Sequence, residues 1–204
     1  MKKASLIYKL VLCILILPIL YIDIFPAGQL RIEPLVYFTT QSNILVAFSL
    51  ILLIIFPKQS RAKCIFRGIS LIAIIITGII YNFVLYKIHL DWRTAGYTFF
   101  TIVTHIIMPA GYILDWLLFD EHGYMKWKDI IIWFVYPMIY CVLSIFATIT
   151  SGFLIYSFFD LTNGYEFLLH LVIKIICIVI IISLLIVWID KTIMTRMKKN
   201  IVDI

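Results

Sequence analysis

An all-α integral membrane protein, a six-transmembrane helix bundle with both termini cytoplasmic, is what this sequence predicts, on three observations. The residues are 64% hydrophobic and only 14% charged, whereas soluble domains carry about a quarter charged residues. The apolar residues fall into runs near the ~20 residues that a helix needs to cross ~30 Å of hydrocarbon. No alternating ten-residue pattern marks a β-barrel. An isolated helix satisfies its own backbone hydrogen bonds, so every run is expected to be helical. Mean hydropathy is +1.09, and the 204 residues are expected to form one membrane domain, 1–204, without a soluble appendage.

The spans run from about 6–25, 36–56, 65–86, 96–119, 130–150 and 166–189. Lys2 and Lys3 before the first run resemble a signal peptide. The run is long, however, and Tyr21-Ile-Asp-Ile-Phe-Pro26 is a poor cleavage site, so it reads as a retained span with a kink or break at Pro18. A second kink with aromatic packing is expected at Tyr136-Pro137 and Tyr140.

Most of the 17 basic residues lie on one side of this arrangement: Lys2, Lys3 and Lys9; Lys58, Arg61, Lys63 and Arg67; Lys126 and Lys128; Lys191, Arg196, Lys198 and Lys199. Arg31, Lys87 and Arg93 lie on the other, and Lys174 falls within a span. The positive-inside rule then makes both termini cytoplasmic. Topology accounts for the +6 charge, and no nucleic-acid partner is implied. Trp92, Trp127, Trp133 and Trp188 sit near span ends, as an aromatic belt requires. Cys13, Cys64, Cys141 and Cys177 show no paired spacing and read as small packing residues.

Polar groups inside spans are costly, roughly 2.5–3.5 kcal/mol for a charge at the centre, so they must face one another or a wet cavity. Thr39, Thr40, Gln41, Ser42 and Asn43 lie about 5–11 Å below the outer end of span two, and His105 about 14 Å below that of span four. Asn82 falls in the outer half of span three. Glu166, His170 and Lys174 follow an i, i+4, i+8 spacing on span six. A shared, partly hydrated cavity opening outward is the economical arrangement. Plainer roles stand beside it: the threonine-rich run as interhelical glue, His105 hydrogen-bonded to a neighbour, Lys174 pairing with Glu166 or snorkelling. Asp115 is expected to anchor its span end against the Lys126/Lys128 loop.

A threonine hydroxyl becomes a nucleophile when a neutral imidazole takes its proton. Thr39 or Thr40 with His105 would make such a pair, and Asn43, Asn82 or Lys174 could stabilise an oxyanion. No HExxH or carboxylate cluster points to a metal, and no cofactor is expected. Any substrate must be lipid-soluble, so membrane lipids are the expected partners. The non-enzymatic alternative is a small permease or a ligand-binding membrane assembly factor; residues 1–95 and 96–204 show no inverted repeat to favour a transporter.

Tyr37-Phe-Thr-Thr-Gln-Ser-Asn-Ile-Leu45 resembles the second-span motif of the androgen-induced FAR/AIG-like (ADTRP-like) membrane proteins, closest to their bacterial branch, the Pr6Pr family. His105 with Pro109 and Asp115 follows in order, then Trp127, Trp133, Tyr136-Pro137, Tyr140, Gly152, Tyr156-Ser-Phe-Phe-Asp160 and Gly164. The resemblance implies six helices and a threonine-dependent hydrolase of fatty acid esters of hydroxy fatty acids, in a bacterial plasma membrane. It carries the histidine to His105 and the threonine to Thr39 or Thr40. Thr39 fits the bacterial pattern and shares a face with Asn43, whereas Thr40 keeps the three-residue spacing of animal members.

Overall fold

The computed structural model describes residues 3–85, 99–160, 162 and 164–202. Among these residues all regular structure is helical, and six helices are long and apolar enough to cross a membrane. The expected start of span four at Gly96, and Lys2, Tyr86, Lys87, Trp92 and Arg93, lie outside the described residues. The chain divides into two compact units, Met1–Glu121 and His122–Ile204.

In the first unit, α1 (Lys3–Ile24) runs through Pro18 without a break. Two short 3-10 turns lead to α2 (Phe38–Ile55). Ser60 then caps α3 (Arg61–Ile79), its hydroxyl accepting from the Lys63 N–H as serine does before a first turn. A π-helical turn, Ile80–Leu85, extends α3. Finally, α4 (Phe99–Phe119) contains a second π-helical turn at Val103–Ile107. The helix α2 packs on α1 and α3, and α4 on α1 and α3. Leu12, Ile16, Val46, Leu50, Leu71, Ile74 and Met108 fill the space between them.

The second unit pairs α5 (Asp129–Ser151) with α6 (Tyr165–Val202). Here too the helix continues through its proline, Pro137, which is buried. Trp133 is fully buried, so packing rather than the aromatic belt claims it; Trp127 and Trp188 stay exposed. Both units leave large apolar side chains uncovered, among them Ile14, Leu118 and Val142. Lipid tails are as apolar as those faces, so burying them against one another gains little. Close packing and polar links must therefore hold the helices together.

Candidate functional site

The local chemistry of α4 prepares its polar site. In the π turn, the Met108 N–H reaches back to the Val103 carbonyl, so the Thr104 carbonyl loses its usual donor. One residue on, Pro109 has no N–H to offer the carbonyl of His105. An unsatisfied carbonyl in lipid costs several kcal/mol, so both must find partners. Two asparagines from two other helices supply them. Asn43 Nδ2 on α2 donates to Thr104 O at 3.2 Å, and Asn82 Nδ2 on the π turn after α3 donates to His105 O at 3.1 Å.

Each amide has a second carbonyl on its own helix: Thr39 O at 2.9 Å for Asn43 and Gly78 O at 2.7 Å for Asn82. Both N–H groups of each side chain are thus directed at carbonyls. In this arrangement neither amide keeps a donor for the oxyanion role expected of it; they hold α2, α3 and α4 in register. Gly78 makes the approach possible, since a Cβ there would stand 3.1 Å from Pro109 Cβ.

Thr39 Oγ1 lies 3.2 Å from His105 Nε2 at this junction. The opposite ring nitrogen, Nδ1, is 3.0 Å from the Thr101 carbonyl, which can only accept. The proton of a neutral ring therefore sits on Nδ1, and Nε2 presents a lone pair to the threonine hydroxyl. The Thr104 hydroxyl supports this tautomer: it donates to Phe100 O at 2.9 Å and stands 2.9 Å from Nδ1 as an acceptor. The Tyr81 ring lies over the imidazole with centroids 3.9 Å apart. Thr39 and His105 are half-buried, and Ile106 and Ile107 beside them are exposed.

Thr40 points elsewhere, as a 100° step along the helix demands, and donates to Asp23 Oδ2 at 3.3 Å. Ser42 Oγ is 2.7 Å from Thr77 Oγ1 and 2.9 Å from Thr39 O, linking α2 to α3 beneath the pair. Lys174, the other residue considered for an oxyanion, is exposed on α6 in the second unit. On the same helix, His170 Nδ1 donates to the Glu166 carbonyl at 2.7 Å. Among the described residues no group of three or more His, Cys, Asp or Glu is placed to hold a metal ion.

A second polar cluster occupies the other ends of α3 and α4. Asp115 lies 2.7 Å from Lys9 Nζ and 2.5 Å from Arg67 Nη2, and Arg67 Nε lies 2.9 Å from Asp120. Asp115 therefore pairs with Lys9 and Arg67 instead of anchoring against Lys126 and Lys128. The Arg67 guanidinium also stacks on Tyr112, 4.0 Å from its ring centre, and Tyr112 donates to Ser49 Oγ at 2.6 Å. Burial pushes the Asp120 carboxyl above the usual range, against the pull of Arg67. Sequence reasoning missed this cluster by counting Lys9 and Arg67 as topological charges. Lys9, Arg67 and Asp115 all fall within apolar runs, however, and such ions must pair.

No family model, curated protein or solved structure matches the chain.

Proposed function

We propose that this chain is a multi-pass cell-membrane protein with cytoplasmic termini, and that Thr39 and His105 are the nucleophile and base of an intramembrane lipid-ester hydrolase. The single observation behind the chemistry is the Thr39 hydroxyl 3.2 Å from His105 Nε2, with Nδ1 held by a carbonyl. The distribution of Lys and Arg supports the orientation. The resemblance to the Pr6Pr and FAR/AIG-like proteins supports the substrate class, a fatty acid ester of a hydroxy fatty acid.

In this mechanism Thr39 Oγ attacks the ester carbonyl while His105 Nε2 takes its proton. Collapse of the tetrahedral intermediate breaks the bond to the leaving alcohol, which receives that proton and leaves an acyl-threonine. Water, deprotonated by the same nitrogen, then releases the acid and restores the hydroxyl. Asn43 and Asn82 act as positioning residues, holding the backbone on which Thr39 and His105 stand.

The test is ester turnover by purified protein in detergent, together with fluorophosphonate labelling. Thr39→Ala should lose both and His105→Ala should lose turnover, while Thr40→Ala keeps both. Turnover that survives in Thr39→Ala and His105→Ala would overturn the assignment. Substrate uptake into sealed vesicles without labelling would favour a permease.

A further inference from the structure

The basic end of α6 presents a second built site. The 38 residues of α6 span about 57 Å, well beyond the ~30 Å of hydrocarbon that a membrane presents. Its apolar stretch ends near Asp190, so the turns bearing Lys191, Arg196, Lys198 and Lys199 extend into the headgroup layer. At that border Trp127, Trp188, Lys191, Thr192, Thr195 and Arg196 line an open groove of about 330 Å³.

The wall carrying Trp127 is held rigidly. The buried carboxylate of Asp190 accepts from Gly123 N at 2.9 Å, Met125 N at 3.0 Å and His122 Nδ1 at 3.1 Å. Gly123 is required there: its φ is +94°, and a Cβ would stand 2.7 Å from Met194 Cγ. On the other flank of Trp127, buried Asp129 accepts from Lys126 N at 2.8 Å. The turn thus sets the Trp127 indole beside α6, with Lys191 Nζ 5.9 Å from its ring centre.

The lining offers two indole rings, two cations and no carboxylate, while its two threonine hydroxyls donate to the Trp188 and Lys191 carbonyls. A free inorganic anion would have no use for the indole walls. A phospholipid uses both parts, the cations for its phosphate and the aromatic walls for its glycerol and upper acyl carbons. Ile181, Leu184 and Leu185 lie one and two turns back along α6 from Trp188, exposed and placed to receive acyl chains. We infer that this cleft binds one anionic phospholipid by its phosphodiester headgroup, independently of the chemistry at Thr39 and His105.

Native mass spectrometry of the purified chain, titrated with dioleoylphosphatidylglycerol or dioleoylphosphatidylcholine, tests the inference. One phosphatidylglycerol should be retained in preference to phosphatidylcholine. Lys191→Gln and Arg196→Gln should each weaken its retention roughly fivefold. Lys191→Arg should keep it, and Lys58→Gln, a basic position elsewhere, should leave it unchanged. Both cations are exposed, so their loss should not unfold the helix. Thermal unfolding in lipid-free detergent checks this, and Trp127→Leu gives an uncharged route to the same loss. Equal retention of the two lipids would overturn the inference. So would a Lys58→Gln loss as large as that of Lys191→Gln, or displacement of the lipid by millimolar inorganic phosphate.

Discussion

The first unit contains two polar clusters at opposite ends of α3 and α4, and they solve the same problem differently. Thr39, Asn43, Asn82 and His105 can carry out their hydrogen bonding as neutral groups, with the hydroxyl and imidazole half-buried. Lys9, Arg67, Asp115 and Asp120 balance two cations against two carboxylates; Lys9, Arg67 and Asp115 are buried, Asp115 completely, and Asp120 is partly buried. A neutral cluster can remain open at one face, because little is lost when a ligand replaces a neighbour. A charged cluster in a low-dielectric interior must be closed, because each ion left alone costs several kcal/mol. Accessibility and charge together therefore separate a place suited to chemistry from a place suited to locking helices.

Substitutions at the two ends should break different things. The largest effect expected is on turnover: under the proposed hydrolase function, His105→Ala removes the proposed base and should lower ester hydrolysis by about 10²–10⁴-fold. Its thermal unfolding should shift little, and an equally large loss of stability would erase the contrast between the clusters. Next, Asp115→Ala strands Lys9 and leaves Arg67 with Asp120 alone, and should cost about 3–5 kcal/mol in detergent unfolding. Replacing all four ionic residues with apolar ones of similar size should recover much of that stability. Asn82→Leu exposes the His105 carbonyl and should cost about 1–3 kcal/mol. Because that carbonyl belongs to the residue proposed as base, kcat should fall more than KM rises. Of similar or smaller size is Gly78→Ala, where the new methyl presses on Pro109 and should cost at most about 1–3 kcal/mol. A Gly78→Ala variant as stable as the parent would show that α3 and α4 have room to separate.

Much of the helical organisation was legible because lipid is an unforgiving solvent. Six apolar runs near bilayer length leave the backbone little alternative to helix, and the observed ends fall close to the expected ones. The exception is α6, which continues past the expected end at 189 to Val202, because its last turns are helix-forming and basic without being apolar. At Pro18 and Pro137 the helices do not break, as helices can run through a proline when the freed carbonyl is met elsewhere. The candidate site was legible only as a set of residue types. Thr39 and Thr40 are chemically identical neighbours, and only the rotation of α2 against α4 separates them. The work of Asn43 and Asn82 was likewise hidden, since it depends on a π turn and a proline in a different helix.

Composition and periodicity alone determined that this chain forms apolar helices of membrane length, because hydrocarbon offers the backbone no other donors or acceptors. They also determined which few residues would have to seek polar company. Tertiary structure decided who keeps that company: His105 with Thr39, Arg67 and Lys9 with Asp115, Trp127 beside Trp188. Such pairings span 48 to 106 residues of chain. Their geometry is set by how helix surfaces interlock, which no local pattern in the sequence records.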